Sequence, residues 1–457
     1  MAQVSINPAT EEELARFDEH SAGQVDRLLE AAHSASLRWR RETFERRGAL
    51  MNEVAARLRA EKTGLAAMAT AEMGKPLAEA EAEVLKCAWV CEYFAENAEA
   101  MLAPRELPSN ASLSYLQYRP LGVVLAIMPW NFPFWQFFRA AVPPLMGGNV
   151  ALLKHASNVP QCALAVERVF REAGFPAGVV STLLVGSGGV PAIIGDRRVA
   201  AVTLTGSDLA GAEVAAAAGK VLKKTVLELG GSDPFLVLAD ADLEEAAALG
   251  CRARNQNNGQ SCIAAKRFIV VKGVADEFQE RFQAAVAALK VGDPSDRAHQ
   301  VGPLARRDLV EGLERQVRES VRAGARAAVG GRRIPGRGYF FQPTVLTEVT
   351  REMPAFREET FGPLAAVIRV EDEEDAVRVA NDCAYGLGAS VWTRDVERGR
   401  RLAGEIEAGM VFVNGLVASD PRLPFGGIKR SGHGRELSEA GIREFMNQQT
   451  VWVGPAR

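Results

Sequence analysis

The sequence has few of the residues that build metal sites or disulfide frameworks. Its six cysteines are scattered over 457 residues without a Cys-x-x-Cys spacing, and its five histidines do not cluster with them. We therefore expect no metal site and no disulfide framework. This cysteine usage favours a reducing, cytoplasmic location.

Long apolar runs are also absent. The most apolar region, 121–148, is interrupted by prolines, an asparagine and an arginine, so it cannot cross a bilayer as one apolar helix. The first residues have no basic start followed by an apolar core, and we expect no secretory signal. The net charge of -3 and the isoelectric point of about 6.1 give no electrostatic reason to expect nucleic acid or a membrane as a partner.

What is present is an ordinary globular composition, with 47% hydrophobic and 24% charged residues. At roughly 150 residues per domain, this length predicts two or three domains. The first hundred residues have the apolar spacing of helices. From Ser112 onward, short apolar strands alternate with helices, in one series up to Glu228 and a second after it. This alternation predicts an α/β fold with parallel sheets, the first of a dinucleotide-binding, Rossmann type.

The last segment, 448–456, has the pattern of a lone strand. A terminal strand in an open sheet needs a partner, and a strand of another subunit is one candidate.

Cys262 follows a polar turn, 257–261, that contains a glycine. A cysteine in such a turn is exposed more readily than one in an apolar run, and backbone N–H groups favour its reactive thiolate. We predict that Cys262 is a nucleophile, with a buried structural cysteine as the alternative. The other cysteines lie in helix-like apolar contexts and are expected in the core: Cys87, Cys91, Cys162, Cys251 and Cys383.

Two further residues have the chemistry that a cysteine nucleophile needs beside it. Glu228 lies between leucines at the end of a strand pattern. Burial would raise its pKa toward neutrality, as suits a general base, although a salt-bridged strand-end glutamate fits the same pattern. Asn131 is stiffened by flanking prolines and aromatic residues. Its amide can donate to an oxyanion, and an Asx-type turn is the alternative.

These motifs, in this order, resemble those of the aldehyde dehydrogenase superfamily: PWNFP at 129–133, ELGG at 228–231 and GQSC at 259–262. Two more stretches occur at the family's usual separations, EETFGP at 358–363 and PFGGIKRSG at 424–432. The resemblance covers essentially the whole chain. Within the family, it is greatest to the short bacterial-type succinate-semialdehyde dehydrogenases.

The resemblance implies an aldehyde dehydrogenase-like fold in three parts. A Rossmann-type coenzyme-binding domain would comprise 1–107 and 122–230, and an α/β catalytic domain 231–432. A small oligomerisation segment of strands would comprise 108–121 and 440–457. Because family members are dimers or tetramers, we expect a homodimer or homotetramer.

The resemblance also implies a reaction that needs no metal. Cys262 would add to an aldehyde, and Asn131 with the Cys262 N–H would hold the oxyanion. NAD or NADP would take the hydride, and Glu228 would activate the water that releases the acid. The residues implied for the coenzyme are Trp130, Lys154, Ser157, Gly206, Ser207, Leu229, Glu359 and Phe361.

The coenzyme preference follows from one position within that set. Many NAD-specific relatives carry a glutamate where this chain has Ser157, which can hydrogen-bond either coenzyme. Lys154 could also pair with the 2′-phosphate of NADP. We therefore expect NADP to be accepted, with dual use of NAD.

The resemblance points to an aldehyde with a carboxylate at its far end, and succinate semialdehyde is the leading case. Arg139 and Gln136 are three residues apart and share a helix face, which with Trp135 is expected to line the channel to Cys262. An arginine fork matches a carboxylate. The alternative is that Arg139 belongs to an ordinary salt bridge.

A second substrate arginine of related enzymes is missing here. Its position is occupied by Gln256, and Arg254 is nearby but out of register. We expect Ser419 or Arg422 to serve instead. A looser site of this kind would also admit other semialdehydes or neutral aldehydes.

Two other reactions fit some of these residues. In a coenzyme-A-acylating relative, coenzyme A takes the acyl group, and the water-activating Glu228 argues against that reading. A cysteine hydrolase without redox chemistry would need a histidine base, for which His433 is a loosely placed candidate.

Overall fold

The structure is a computed structural model that describes residues 2–455. The predicted coenzyme-binding domain begins at residue 1 and the predicted oligomerisation segment ends at 457. Residue 1 and residues 456–457 of those two predictions lie outside the described range.

The chain begins with an antiparallel hairpin of β1 (Ala2–Ile6) and β2 (Glu13–Asp18), where the apolar spacing had predicted helix. The buried face of β1 carries Gln3 and Ser5, so no alternation of apolar and polar residues marks this strand in the sequence. The prediction of helices is confirmed after the hairpin, by α1 (Ala22–Trp39), α2 (Phe44–Ala60), α3 (Lys62–Met73) and α4 (Leu77–Met101).

Local sequence sets the ends of these helices. Ser21 caps α1 in a reciprocal capping box with Gln24, and Thr43 caps α2 through the N–H of Arg46. Gly74 ends α3 in a left-handed conformation, with φ of 82°, which glycine adopts without steric cost.

The next segment begins with two strands of a separate three-stranded sheet and continues with the alternating strands and helices of a six-stranded sheet. Its elements follow in chain order: β3 (Arg105–Glu106), β4 (Leu113–Pro120), β5 (Val123–Met128), α5 (Trp135–Met146), β6 (Val150–His155), α6 (Pro160–Glu172), β7 (Val180–Thr182), α7 (Val190–Gly195), β8 (Val199–Thr205), α8 (Asp208–Lys220) and β9 (Lys224–Glu228). Five strands lie parallel in the order β7-β6-β5-β8-β9.

The strand order reverses at β5. The chain proceeds from β5 through β6 to β7 on one side, and then returns to place β8 and β9 on the other. In an open α/β sheet, ligands bind in the crevice outside the carboxyl ends of the strands at such a switch point. The loops after β5 and β8 therefore border the natural ligand position of this sheet.

A second sheet follows, built on the same principle. Its elements are β10 (Asp233–Val237), α9 (Leu243–Asn255), β11 (Ala265–Val271), α10 (Ala275–Ala287), α11 (Arg307–Arg322), β12 (Arg326–Val329), β13 (Thr344–Thr347), α12 (Pro354–Arg357), β14 (Leu364–Val370), α13 (Glu373–Asn381), β15 (Tyr385–Gly386), β16 (Gly388–Trp392), α14 (Val396–Ala403) and β17 (Met410–Val413). Seven strands take the order β12-β13-β14-β11-β10-β16-β17, parallel except for β12. Together the two sheets confirm the predicted α/β fold class.

The C-terminal residues link the sheets. They form β18 (Ile428–Lys429), β19 (Gly432–His433), α15 (Ser438–Glu444) and β20 (Met446–Val453). β18 pairs with β15, whereas β19 adds to β9 at the edge of the six-stranded sheet. The terminal strand, β20, pairs with β4 of its own chain from Met446↔Pro120 to Val453↔Leu113. It therefore needs no other subunit to complete its pairing on that side.

The apolar core lies on both faces of each sheet, under the flanking helices. No helix within residues 2–455 is long and apolar enough to cross a membrane.

The side chain of Asn149 connects three segments by hydrogen bonds: the residues before β5, helix α5 and the chain near Phe445. Its buried amide donates to the carbonyls of Pro144 and Phe445, at 3.2 and 3.1 Å, and its oxygen accepts from the Gly122 N–H at 2.9 Å. Replacement by alanine leaves the Gly122 N–H without its side-chain partner, at about 1–3 kcal/mol for a group that water does not reach, and removes one of the two donors to each carbonyl. We expect Asn149→Ala to lower the free energy of unfolding by at least about 1 kcal/mol in urea denaturation.

Asn110→Ala is the matched control, because Asn110 is exposed. It should change stability by less than about 0.5 kcal/mol. Equal effects of the two substitutions would refute the role of Asn149.

Candidate active site

Cys262 lies in the loop between α9 and β11, directly after a tight turn, Gln256–Gly259. Asn257 and Asn258 have φ of 55° and 59° there, a left-handed region that asparagine tolerates better than most residues. The side chain of Asn257 donates to the carbonyl of Asn131 at 2.8 Å. The turn is therefore fastened to the loop that follows β5, which brings two of the predicted catalytic residues together.

Further buried contacts fix this loop. The Asn258 amide donates to the carbonyls of Gly74 and Pro303, both at 2.8 Å. Arg254, which the sequence placed near a substrate-arginine position, is buried and donates to the Gly259 carbonyl instead. Lys266, the second residue of β11, donates to the Cys262 carbonyl at 2.7 Å. The backbone on both sides of the sulfur is thus held by hydrogen bonds.

Two cavities meet at Cys262. The larger cavity, of about 310 Å³, opens between α4, α5 and the 416–425 segment. The smaller cavity, of about 260 Å³, lies at the switch point between β5 and β8. Gln136 and Cys262 line both of them. Two molecules can therefore approach the same sulfur from two sides.

The smaller cavity contains six of the residues predicted for the coenzyme: Trp130, Gly206, Ser207, Leu229, Glu359 and Phe361. Ser207 caps the N-terminus of α8, a position that suits a phosphate. The rings of Trp130 and Phe361 meet edge to face at 5.7 Å. Switch point, helix N-terminus and aromatic wall together fit a dinucleotide.

Two predicted coenzyme residues lie outside this cavity. Lys154 is near the carboxyl end of β6, which pairs with β5 at Ile127↔Lys154, and Ser157 is exposed in the turn that follows. Both are thus beside the crevice rather than in it. Sequence reasoning missed Arg306, which lines the smaller cavity and lies over the Trp130 ring at 5.4 Å.

The larger cavity contains all four residues predicted for the substrate: Trp135, Gln136, Arg139 and Ser419. Arg422 does not line it, and instead forms a bidentate ion pair with Asp420 on the surface. The alternative second ligand from this loop is therefore Ser419. Sequence reasoning assigned no role to Lys86 or Phe425, which also line the cavity; Phe425 belongs to the 424–432 motif, whereas Lys86 belongs to none of the motifs.

The prediction that Arg139 offers an open guanidinium fork to the substrate needs correction. Arg139 is 2% exposed, forms a buried ion pair with Glu436, and also donates to Thr205 at 3.4 Å. Its guanidinium lies over the ring of Phe425 at 4.1 Å. Arg139 therefore lines the cavity, but its charge is paired in a salt bridge, as the alternative interpretation expected.

Glu228 is buried, and neither of its carboxylate oxygens has a hydrogen-bond partner within residues 2–455. Burial raises its pKa well above the ordinary value, and the neighbouring Glu436 adds to this, while Arg139 opposes it. Its Oε1 lies against Gly426, where a Cβ would come within 2.6 Å. The described side chain does not line either cavity, so it must turn toward Cys262 to act as a base.

Asn131 lines the smaller cavity beside Cys262. Its amide nitrogen donates to the Gln260 carbonyl at 3.1 Å, and its oxygen accepts from Gln136 at 3.5 Å. One amide hydrogen is thus used in orienting the group, which leaves the other for an oxyanion.

Cys262 is half-buried, and burial raises the pKa of its thiol to about 11, despite the opposing charges of Arg139 and Lys266. The expectation that the turn favours a thiolate is therefore wrong for this state of the site. Cys383 is half-exposed in a bend rather than in the core, contrary to expectation.

No histidine lines either cavity within the described residues. His433 bonds to Thr225 at 2.9 Å on the edge strand β19, and His155 is buried against the Pro133 carbonyl. The cysteine-hydrolase alternative therefore lacks its base. Within residues 2–455, no group of three His, Cys, Asp or Glu side chains could hold a metal ion.

Comparison with known proteins gives concordant matches. The profile of the aldehyde dehydrogenase family matches residues 2–451. A probable NADP(+) succinate-semialdehyde dehydrogenase of Synechocystis sp. is 51% identical, over 99% of this chain and 100% of that protein. The NADP(+) succinate-semialdehyde dehydrogenase 1 of Mycobacterium tuberculosis is also 51% identical, with the same coverage. The crystal structure of a Streptococcus pyogenes succinic semialdehyde dehydrogenase in complex with NADP+ superposes with a TM-score of 0.97 at 38% identity, over 99% of this chain and 100% of that one.

The raised pKa of Cys262 predicts how the free protein reacts with iodoacetamide. Below a pKa of about 11, the thiolate fraction rises tenfold for each pH unit, so alkylation should accelerate about a hundredfold between pH 7 and pH 9. Mass spectrometry of the Cys262 peptide measures the rate, and Cys262→Ala gives the background. A rate that is constant over this range would mean that the thiolate already exists at neutral pH.

Proposed function

Because the chain belongs to the aldehyde dehydrogenase family, we propose that it oxidises succinate semialdehyde to succinate, with NADP as the preferred coenzyme and NAD as an alternative. The observation that carries this proposal is the position of Cys262, where a cavity that fits a dinucleotide meets a second cavity of about 310 Å³. The sulfur can bond to an aldehyde in one cavity while a hydride acceptor lies in the other.

The reaction begins when the Cys262 thiol releases its proton to water and its sulfur adds to the aldehyde carbon. The carbonyl oxygen becomes an oxyanion, which accepts hydrogen bonds from the free Asn131 amide hydrogen and the Cys262 N–H. A nicotinamide coenzyme bound in the smaller cavity would supply the hydride acceptor. Loss of hydride leaves the acyl group on Cys262 as a thioester.

Water completes the reaction. Glu228 takes a proton from the water that attacks the thioester carbon, and the carbon–sulfur bond breaks to release the acid. A raised pKa suits a group that must accept a proton near neutral pH. The overall balance is aldehyde, oxidised coenzyme and water to acid, reduced coenzyme and a proton.

The residues beside the crevice and the similar proteins both support NADP as the coenzyme. Ser157 is exposed beside the crevice and carries no charge that would repel a 2′-phosphate. Lys154 adds a cation at the same strand end. The relatives are named for NADP(+), and one neighbouring structure contains it.

Oligomerisation through β20 is part of the proposal. The strand lies at an edge of its three-stranded sheet, and Trp452 and Val453 are 53% and 44% exposed. Apolar side chains on a free strand edge favour pairing with another chain, which supports a homodimer or homotetramer. The cysteine usage supports a reducing, cytoplasmic location.

Glu228→Gln separates the two halves of the reaction. Acylation precedes the water step, so rapid mixing should still give a burst of about one reduced coenzyme per site, at 340 nm. Steady turnover should then fall by about a hundredfold or more. Cys262→Ala is the control, since it should show neither burst nor turnover while still binding coenzyme.

The pH dependence of these variants provides a second measurement. The base form of Glu228 exists only above its raised pKa, so the kcat of the unmodified enzyme should rise with pH as that carboxyl ionises. Glu228→Gln should not show this rise. If the Glu228→Gln variant shows no burst, Glu228 also activates the Cys262 thiol.

Ser157→Glu tests the coenzyme preference. A carboxylate there repels the 2′-phosphate and can bind the ribose hydroxyls of NAD. We expect kcat/KM with NADP to fall by about ten- to a hundredfold, while kcat/KM with NAD holds or rises. Ser157→Ala, which removes the hydroxyl without adding charge, should retain NADP use. An unmodified enzyme that rejects NADP would overturn this assignment.

A further inference from the structure

We propose that one short segment, 74–83, sets the position of Asn131 relative to Cys262. The segment joins α3 to α4 and includes the first two turns of α4. Two of its side chains are positioning residues: Glu83 holds the loop that contains Asn131, and Glu79 holds the turn before the nucleophile. This inference rests on the proposed function, because Asn131 is the oxyanion donor of that reaction.

Glu83 fixes the start of α5, the helix that follows Asn131. Its Oε1 accepts hydrogen bonds from the backbone N–H groups of Phe134 and Trp135, at 2.8 and 2.9 Å. Phe134, at the N-terminus of α5, has no polar side chain to cap the helix. A carboxylate is a favourable partner for the free N–H groups at this end of a helix. Glu83 thus caps α5 from a different helix, at the third and fourth residues after Asn131.

The other oxygen of Glu83 contacts the same loop through Lys75. It forms an ion pair with the Lys75 Nζ, and the side chains of Lys75 and Glu83 are 0% and 1% exposed. The Nζ also lies 4.0 Å from the centre of the Phe132 ring, a cation–π contact with the residue next to Asn131. Neither charge can move away without leaving the other buried and unpaired, which is costly. The ion pair therefore holds the loop at Phe132 as well as at α5.

Glu79 lies one turn before Glu83, on the same face of α4. Its carboxylate accepts a hydrogen bond from the backbone N–H of Asn257, in the turn before the nucleophile. At the start of the segment, the Gly74 carbonyl accepts from the side chain of the next turn residue, Asn258, at 2.8 Å. The segment therefore holds the turn at two consecutive residues.

Both loops of the catalytic site are thus attached to the same segment. The loop with Asn131 follows β5 of the six-stranded sheet, whereas the turn before Cys262 leads to β11 of the seven-stranded sheet. Because one short segment contacts both, it fixes the spacing between the oxyanion donor and the sulfur. A displacement of about 1 Å between such groups can slow a reaction about a hundredfold. The rate of attack on the aldehyde should therefore depend on Glu83 and Glu79.

A direct effect of the two carboxylates on the substrate is the competing explanation, because both line the larger cavity. Both oxygens of Glu83 are already bonded to the protein. A direct electrostatic effect would act on a charged aldehyde and spare a neutral one. A positioning effect acts through Asn131, so it should slow the oxidation of both kinds of aldehyde by the same factor.

The experiment measures the rate of the first burst of reduced coenzyme after rapid mixing, at 340 nm and saturating aldehyde. Glu83 is replaced together with Lys75, as Lys75→Met, to avoid leaving a buried ammonium unpaired. Glu83→Ala in this pair should slow the burst by about ten- to a hundredfold with both succinate semialdehyde and butyraldehyde. Glu83→Gln in the same pair should recover most of the rate, because its amide oxygen still accepts from the α5 N–H groups. Glu92→Gln is the control and should leave the rate unaltered, since Glu92 is an exposed α4 residue paired with Arg59.

A double-mutant cycle tests whether the effect passes through Asn131. Asn131→Ala alone should slow the burst by about a hundredfold or more, as expected for the loss of an oxyanion donor. In that background, adding Lys75→Met with Glu83→Ala should slow it by less than about a further threefold. A role in general folding would instead slow the burst by the same factor in both backgrounds.

Glu79→Ala repeats the cycle at a half-buried side chain whose hydrogen bond is to a backbone N–H. It should slow the burst by about three- to tenfold, because the side chain of Asn257 still holds the turn to the Asn131 carbonyl. This loss should also shrink in the Asn131→Ala background. Glu79→Gln should recover the rate, since its amide oxygen remains an acceptor.

The outcomes are distinguishable. An unmodified enzyme that oxidises neither aldehyde would disprove the proposed function, and this inference with it. Equal losses in both backgrounds, or a loss confined to succinate semialdehyde, would overturn the positioning role alone. If the variant with Lys75 and Glu83 replaced does not bind NADPH, as followed by the fluorescence of the coenzyme, the Glu79 cycle decides in the same terms.

Discussion

The hydrogen bond from Asn257 to the Asn131 carbonyl joins the two halves of the site. It connects the turn before the nucleophile, which belongs to the seven-stranded sheet, to the loop that leaves the switch point of the six-stranded sheet. Together with the hydrogen bond from the Asn131 amide to the Gln260 carbonyl, this link holds the Asn131 side chain beside the sulfur. The left-handed turn that presents Asn257 costs backbone strain, which the bonds of Asn258 and Arg254 offset. Catalytic geometry therefore depends on residues that touch no substrate.

In the described state, the surroundings of the site disfavour charge on both of its acid–base groups. Burial disfavours the thiolate of Cys262 and the carboxylate of Glu228, and the Arg139–Glu436 pair lies in the electrostatic environment of both. A protonated thiol reacts with oxidants more slowly than a thiolate. In the proposed reaction, the same burial keeps Glu228 basic enough to deprotonate water once the acyl group is in place. One physical effect, desolvation, thus serves the resting state and the second half of the reaction.

Patterns local in sequence predicted much of this molecule. Strands and helices after Ser112 were recognisable because apolar runs and breakers repeat there. Six of the residues predicted for the coenzyme line one cavity, because each belongs to a motif at a strand or helix end. The hairpin at the start was missed because polar residues fill its buried face. Such local patterns also cannot predict hydrogen bonds between residues that are distant in sequence. Arg139 and Glu436 are 297 residues apart, and Lys86 and Ser419 are 333 residues apart. Nothing in the sequence around Lys86 distinguishes it from a solvated helix lysine.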